Sequence, residues 1–71
     1  MKTITIKGEY IRLQDLLKFA SLVSTGGEAK LRIQEGEVQV NGEVCLQRGK
    51  KIRPGDQVLF QGQSYTVDYE T

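Results

Sequence analysis

Thr25-Gly26-Gly27-Glu28-Ala29-Lys30-Leu31-Arg32-Ile33-Gln34-Glu35-Gly36-Glu37-Val38-Gln39-Val40-Asn41-Gly42 decides the fold, because the hydrophobic period changes inside it. Thr25 followed three residues later by Glu28 matches the capping box, in which each side chain bonds a free backbone N–H of the other residue. A helix is expected from there through Ala29, Lys30 and Ile33 to about Glu35, and Gly36 supplies the left-handed residue that commonly ends one. Ala29 and Ile33 are four apart and share a face. Leu31 lies almost opposite, so the spacing leaves open which side of the helix is buried. Past Gly36 the period drops to two: Val38 and Val40 alternate with Glu37 and Gln39, and Val44 and Leu46 follow Asn41-Gly42. Asn-Gly between two alternating runs is the strongest short hairpin signal, since both turn residues must tolerate φ > 0.

Upstream, Thr3-Ile4-Thr5-Ile6-Lys7 alternates with β-branched residues and predicts a short strand ending at Gly8. Leu13, Leu16, Leu17 and Ala20 recur at i, i+3, i+4 and i+7, one apolar face of an amphipathic helix over roughly residues 11 to 22. Arg12, Gln14, Asp15 and Lys18 fall on its other faces, and Ser24-Thr25-Gly26-Gly27 breaks it. Downstream comes a basic loop, Gln47 to Lys51, and then a tight turn at Pro54-Gly55-Asp56. Gln57-Val58-Leu59-Phe60 and Ser64-Tyr65-Thr66-Val67 form a closing pair of strands around Gly62. The order is strand, helix, helix and four short strands, an α+β arrangement without internal repeat, linker or low-complexity segment.

The 71 residues make one domain, residues 1–71. A chain of this size buries only about 60% of the surface that its unfolded form exposes, so the core is thin. Ligand pockets run to several hundred Å³, for which little room is left, and an enzyme is disfavoured on size alone. There is no histidine, hence no conventional base for a Ser or Cys nucleophile. Asp15 with Glu9 or Glu28 could be written as an acid/base pair, but charges on helix surfaces explain them. Cys45, the only cysteine, cannot form an internal disulfide and makes an improbable zinc ligand set with carboxylates. It is expected to be a passive residue of the hairpin strand. No cofactor or metal is expected. Met1 leads straight into an alternating segment, which is neither a signal peptide nor a membrane span of roughly 20 apolar residues. A cytoplasmic location follows as the default.

Ten Lys and Arg stand against nine Asp and Glu, a near-neutral sum that hides a pattern. Arg48, Lys50, Lys51 and Arg53 fall close together with no acid between them, whereas Glu28, Glu35, Glu37, Glu43, Asp68 and Glu70 lie elsewhere. Such a loop attracts a polyanion locally, unless it is merely a solvated Lys-rich turn. Arg and Lys there supply donors for phosphate oxygens, and Gly49 lets the loop follow a backbone. Tyr10, Phe19, Phe60, Tyr65 and Tyr69 lie outside the loop, so base stacking is weakly supported and the shape and phosphates of folded RNA fit better. The second candidate is the start of the second helix. Gly26 and Gly27 cost it roughly 1 kcal/mol each relative to alanine. Either a phosphate approaches the free N–H groups closely there, or the glycines only let the chain reverse between two packed helices. Lys30, one turn in, and Arg12, at the head of the first helix, are phosphate contacts or solvated surface cations.

The quoted stretch resembles the RNA-binding domain named for ribosomal protein S-four, also found in bacterial tyrosyl-tRNA synthetases and pseudouridine synthases. Its pattern is roughly S-R-x-x-A-R-x-L-I-x-x-G-x-V-x-V-N-G, preceded by R-L-D-x-x-L and followed after a gap by G-D. Ala29, Lys30, Ile33, Gly36, Val38, Val40, Asn41 and Gly42 match in register, and Arg12-Leu13-Gln14-Asp15-Leu16-Leu17 and Pro54-Gly55-Asp56 sit where the flanks belong. The likeness covers about residues 11 to 60. Two departures stand out: Gly26 replaces the usual arginine, and Arg32 stands where the pattern has Leu. Both, with Arg48-Gly49-Lys50-Lys51, resemble the stand-alone YaaA/YbcJ-like branch of small bacterial proteins.

The resemblance implies an αL motif, two helices packed on a small, mostly antiparallel sheet of four to five strands. It implies an RNA-binding, ribosome-associated role with no catalysis, on structured RNA such as ribosomal RNA, with ribosomal proteins as possible neighbours and a monomeric chain. Carried over by position, Arg12, Thr25, Gly26, Lys30, Arg48, Lys50 and Lys51 become the candidate RNA contacts, the basic loop compensating for the arginine lost at Gly26. A competing reading is a protein–protein interaction module on the sheet edge or the Leu13/Leu16/Leu17 face, with incidental RNA affinity.

Overall fold

A computed structural model describes residues 2–70. In chain order the elements are β1 (Lys2–Ile6), β2 (Ile11–Arg12), α1 (Leu13–Phe19), α2 (Gly26–Gln34), β3 (Val38–Val40), β4 (Glu43–Val44), β5 (Lys51–Ile52), β6 (Gln57–Phe60) and β7 (Gln63–Tyr69). Five strands form one sheet in the order β1-β7-β6-β3-β4. Only β1 and β7 run parallel; the other pairs are antiparallel. This is the expected α+β arrangement, with one addition: β2 and β5 form a separate two-stranded antiparallel ribbon.

One core holds these elements together. α1 contributes Leu13, Leu16 and Leu17, α2 Ala29 and Ile33, β5 Ile52, and the sheet Val38, Val58, Phe60 and Val67. Leu31 is left outside, 54% exposed, which settles the side of α2 that is buried.

Both helices end in the same way. Ser21 stands at φ 58° after α1, and Gly36 at φ 78° after α2. The next residue in each case turns back, Leu22 N–H to the Leu17 carbonyl at 2.9 Å and Glu37 N–H to the Arg32 carbonyl at 3.2 Å. With Ser21 N–H on Lys18 and Gly36 N–H on Ile33, both ends complete the Schellman pattern.

The first helix is shorter than the expected span of 11 to 22. Ile11 and Arg12 are extended because they pair with Ile52 and Lys51. At the other end the left-handed Ser21 stops the helix at the Ala20 cap.

Asn41 at φ 52° and Gly42 at φ 86° make the expected hairpin turn. Its side chain does a second job: Asn41 Nδ2 donates to Asp56 Oδ1 at 3.0 Å, and its Oδ1 accepts from Gln57 N–H at 2.9 Å. Asp56 Oδ2 in turn accepts from Arg53 N–H at 2.8 Å, so the two turns are stapled together. Beyond the first turn the expectation needs correcting. The strand covers only Glu43–Val44, Val44 and Leu46 are exposed, and Cys45 is the residue that packs against the core. β4 is the outer strand, and Cys45 N–H donates to the Val38 carbonyl at 3.0 Å as the chain leaves the sheet.

Candidate nucleic-acid interface

The β2–β5 ribbon has two residues per strand, and they divide cleanly by face. Ile11 opposes Ile52 toward the core, and Arg12 opposes Lys51, both exposed. Like charges directly opposite each other destabilise a strand pair, so the placement of these two cations carries an electrostatic cost. Part of the cost is offset by Tyr10, whose ring centroid lies 5.0 Å from the Lys51 ammonium, a cation–π contact.

The basic loop is fixed to the head of α1 by its backbone. Leu13 N–H donates to the Lys50 carbonyl at 2.9 Å and Gln14 N–H to the Arg48 carbonyl at 3.0 Å. The first free N–H groups of a helix need acceptors, and Arg12 offers no side-chain cap here. The loop carbonyls take that role, while the side chains of Arg48 and Lys50 remain exposed. Arg12, Arg48, Lys50 and Lys51 therefore gather around the start of α1.

Among the described residues none of the four forms an ion pair with an acid, although Asp15 lies in the first turn of α1. Among the described residues the ion pairs belong to Arg32, 3.2 Å from Glu37 and 3.6 Å from Glu28. The hydrogen bond from Arg32 to Glu37, reinforced by their opposite charges, raises the guanidinium pKa above its ordinary value. Glu28 and Glu37 are thus occupied by an arginine outside the cluster.

The start of α2 is organised differently. Thr25 Oγ1 accepts from Glu28 N–H at 3.1 Å, as expected, but the Glu28 carboxylate reaches one residue further back, to Ser24 N–H at 2.9 Å. A carboxylate already stands at the positive end of this helix. Gly26 and Gly27 do not reverse the chain, since the reversal is made at Ser21. A Cβ on Gly26 would meet nothing within 4 Å, and one on Gly27 only Thr25 Oγ1 at 3.9 Å. At 100° per residue Gly26, Gly27, Lys30 and Gln34 share one flank of α2, free of acids, and Glu28 and Arg32 take the other.

Replacing Gly26 by Ala is therefore expected to stabilise the fold by about 0.5 kcal/mol through helix propensity. If RNA approaches that turn closely, the same variant binds it more weakly. Denaturant melts and RNA titrations on one protein preparation read both, and unchanged affinity removes Gly26 from the interface.

The seven sequence-based candidates thus fall into two groups. Arg12, Arg48, Lys50 and Lys51 form one cluster. Thr25 and Gly26 follow the last turn of α1, at the other end of a helix about 10 Å long, with Lys30 exposed one turn beyond. Tyr10 was missed by sequence reasoning: its partner is distant in the chain, and only its position next to Ile11-Arg12 hints at a role.

A model described as the S4 domain matches residues 4–68. The chain is 42% identical over 59 residues to the "Probable ribosome maturation protein RlbA" of Bacillus subtilis, covering 83% of each chain. It is 39% identical over 61 residues to the "Putative RNA-binding protein YbcJ" of Escherichia coli, 86% of this chain and 87% of that one. The solution structure of YbcJ, described as revealing an αL motif involved in RNA binding, superposes with a TM-score of 0.72 at 38% identity, covering 96% of this chain and 87% of YbcJ.

Proposed function

Because the chain belongs to the S4 domain family, we propose that it is a non-catalytic RNA-binding protein that grips the phosphate backbone of structured RNA through Arg12, Arg48, Lys50 and Lys51. One observation carries the reading: four cations are held around the head of α1 with no ion pair to an acid among the described residues, two of them directly opposite each other in the β2–β5 ribbon. Such an arrangement gains its compensation from an external anion, and a polyphosphate supplies several at once. Thr25, Gly26 and Lys30 extend the surface along α2, whose acid-free flank suits a second stretch of the same backbone.

Ribosomal RNA, or a ribosomal particle in assembly, is the partner we favour, supported by the ribosome-maturation name of the B. subtilis relative. Ribosomal proteins are then neighbours rather than the target, and the protein acts in the cytoplasm as a monomer. Among the described residues no helix is long and apolar enough to cross a membrane, and no group of His, Cys, Asp and Glu could hold a metal ion.

The test is the salt dependence of binding to a labelled ribosomal RNA hairpin. About four to six phosphate contacts give a log–log slope of about −3 to −5 between roughly 50 and 200 mM salt. A slope near zero sinks the proposal and turns attention to the protein-interaction reading.

A further inference from the structure

Next to the cationic cluster lies a groove of about 380 Å³, lined chiefly by Ile6, Lys7, Gly8, Tyr10, Ile11 and Phe19. Its two aromatics are both exposed. Phe19, at the end of α1, is 63% exposed, and Tyr10, 38% exposed, is the ring over which Lys51 stands. Tyr10 is thus shared between an apolar groove and the cationic cluster. Glu70 also reaches the groove, and its backbone N–H is tied to the Ile6 carbonyl at 2.8 Å.

We propose that this groove takes one unstacked nucleobase of the RNA whose phosphates the neighbouring cations hold, the base lying against Phe19 and Tyr10; the inference rests on the RNA reading above. The argument is one of matched chemistry at a fixed spacing. A nucleotide presents an apolar, π-faced base tethered through its sugar to an anion. Here an aromatic-walled groove adjoins Lys51 and Arg12, with Lys7 on its lining, so both halves of the nucleotide find a complement. The groove volume falls in the range of small-molecule sites. Aromatic side chains hold single-stranded bases by stacking, largely independent of sequence. An ionised carboxylate only accepts hydrogen bonds, so at Glu70 a base would present an N–H donor of its edge, an exocyclic amino group or a ring imino N–H. Along the sequence, stacking is only weakly supported because the aromatics lie outside the basic loop; the fold carries Tyr10 to it.

The chain has no tryptophan, so Phe19→Trp introduces a single fluorescent reporter that keeps a stacking face. Its emission is expected to be quenched by hexaadenylate and left unchanged by inorganic polyphosphate or a blunt RNA duplex. Phe19→Ala is expected to weaken hexaadenylate binding by roughly 5- to 100-fold while duplex affinity and the melting temperature stay put. Equal loss on both RNAs, no loss on either, or equal quenching by polyphosphate overturns the inference. Wild-type protein that binds duplex but not hexaadenylate also overturns it and leaves the backbone reading standing; failure to bind either RNA removes both. Self-association that Phe19→Ala abolishes without touching RNA affinity makes the groove a contact between copies and rejects the base.

Discussion

Reversing Lys50 and Lys51 to Glu together is expected to lower affinity for structured RNA by roughly 100-fold at moderate salt, and to reduce the log–log salt slope by about 2. The domain should remain folded. Both side chains are exposed, and the contribution of Lys50 to α1 comes from its carbonyl, which the substitution keeps. Lys51 loses its cation–π contact with Tyr10, worth about 0.5–1 kcal/mol. Against that, a Glu opposite Arg12 turns a repulsive cross-strand pair into an attractive one. The two effects are of similar size, so the melting temperature should move by no more than a few degrees while binding collapses. Lys2→Glu with Lys18→Glu is the control. It changes the formal net charge by the same amount, from +1 to −3 in both double variants, at exposed positions on β1 and in the last turn of α1. Titrations of both proteins against one RNA hairpin, with melting curves alongside, separate local from global electrostatics. Equal losses would mean that the loop has no special place in recognition.

Much of this geometry was legible from local signals, and the failures share a cause. The second helix declares itself because its cap, its buried pair Ala29/Ile33 and its left-handed Gly36 lie within a dozen residues. The Asn41-Gly42 turn does the same. The end of the first helix does not, because Ser21 carries no mark of a residue that adopts positive φ. Its start is set by a strand pairing with residues 51 and 52, a non-local event that two-residue strands cannot announce. Val44-Cys45-Leu46 is apolar at every position, so a period of two cannot choose its phase; the outer position of β4 does, turning Cys45 inward. The candidate interface divides in the same way. The charge run after the hairpin was visible, and the resemblance decided between the two readings of Arg12. That β2 and β5 set Arg12 beside Lys51, and that Tyr10 lies under its ammonium, depends on contacts between distant parts of the chain.

Phe60→Ala is expected to leave the protein largely unfolded near 37 °C. Phe60 is the largest of the fully buried side chains, 1% exposed, on a strand paired on both sides, with Val38 on β3 and Gln63 on β7 as its register partners. Truncating a buried Phe to Ala costs about 3–5 kcal/mol, more where the surroundings cannot close the cavity. A chain of this length has about 4–10 kcal/mol of total stability, so the cost is comparable with the whole. At roughly 4–8 °C per kcal/mol, the melting temperature falls by about 12–40 °C. Phe60→Leu keeps most of the volume and should lose far less. The consequence for recognition follows from the shared core. Leu13 and Ile52, which anchor α1 and β5, pack in the same cluster as Phe60, so the fold that holds Arg12 against Lys51 is lost with the core. In Phe60→Ala, near-ultraviolet circular dichroism and RNA affinity should therefore decline along one temperature curve. In the Lys50/Lys51 double variant the fold persists without binding. An unfolded Phe60→Ala chain that still bound RNA with wild-type affinity would show that loose positive charge suffices and that the ribbon's arrangement contributes nothing.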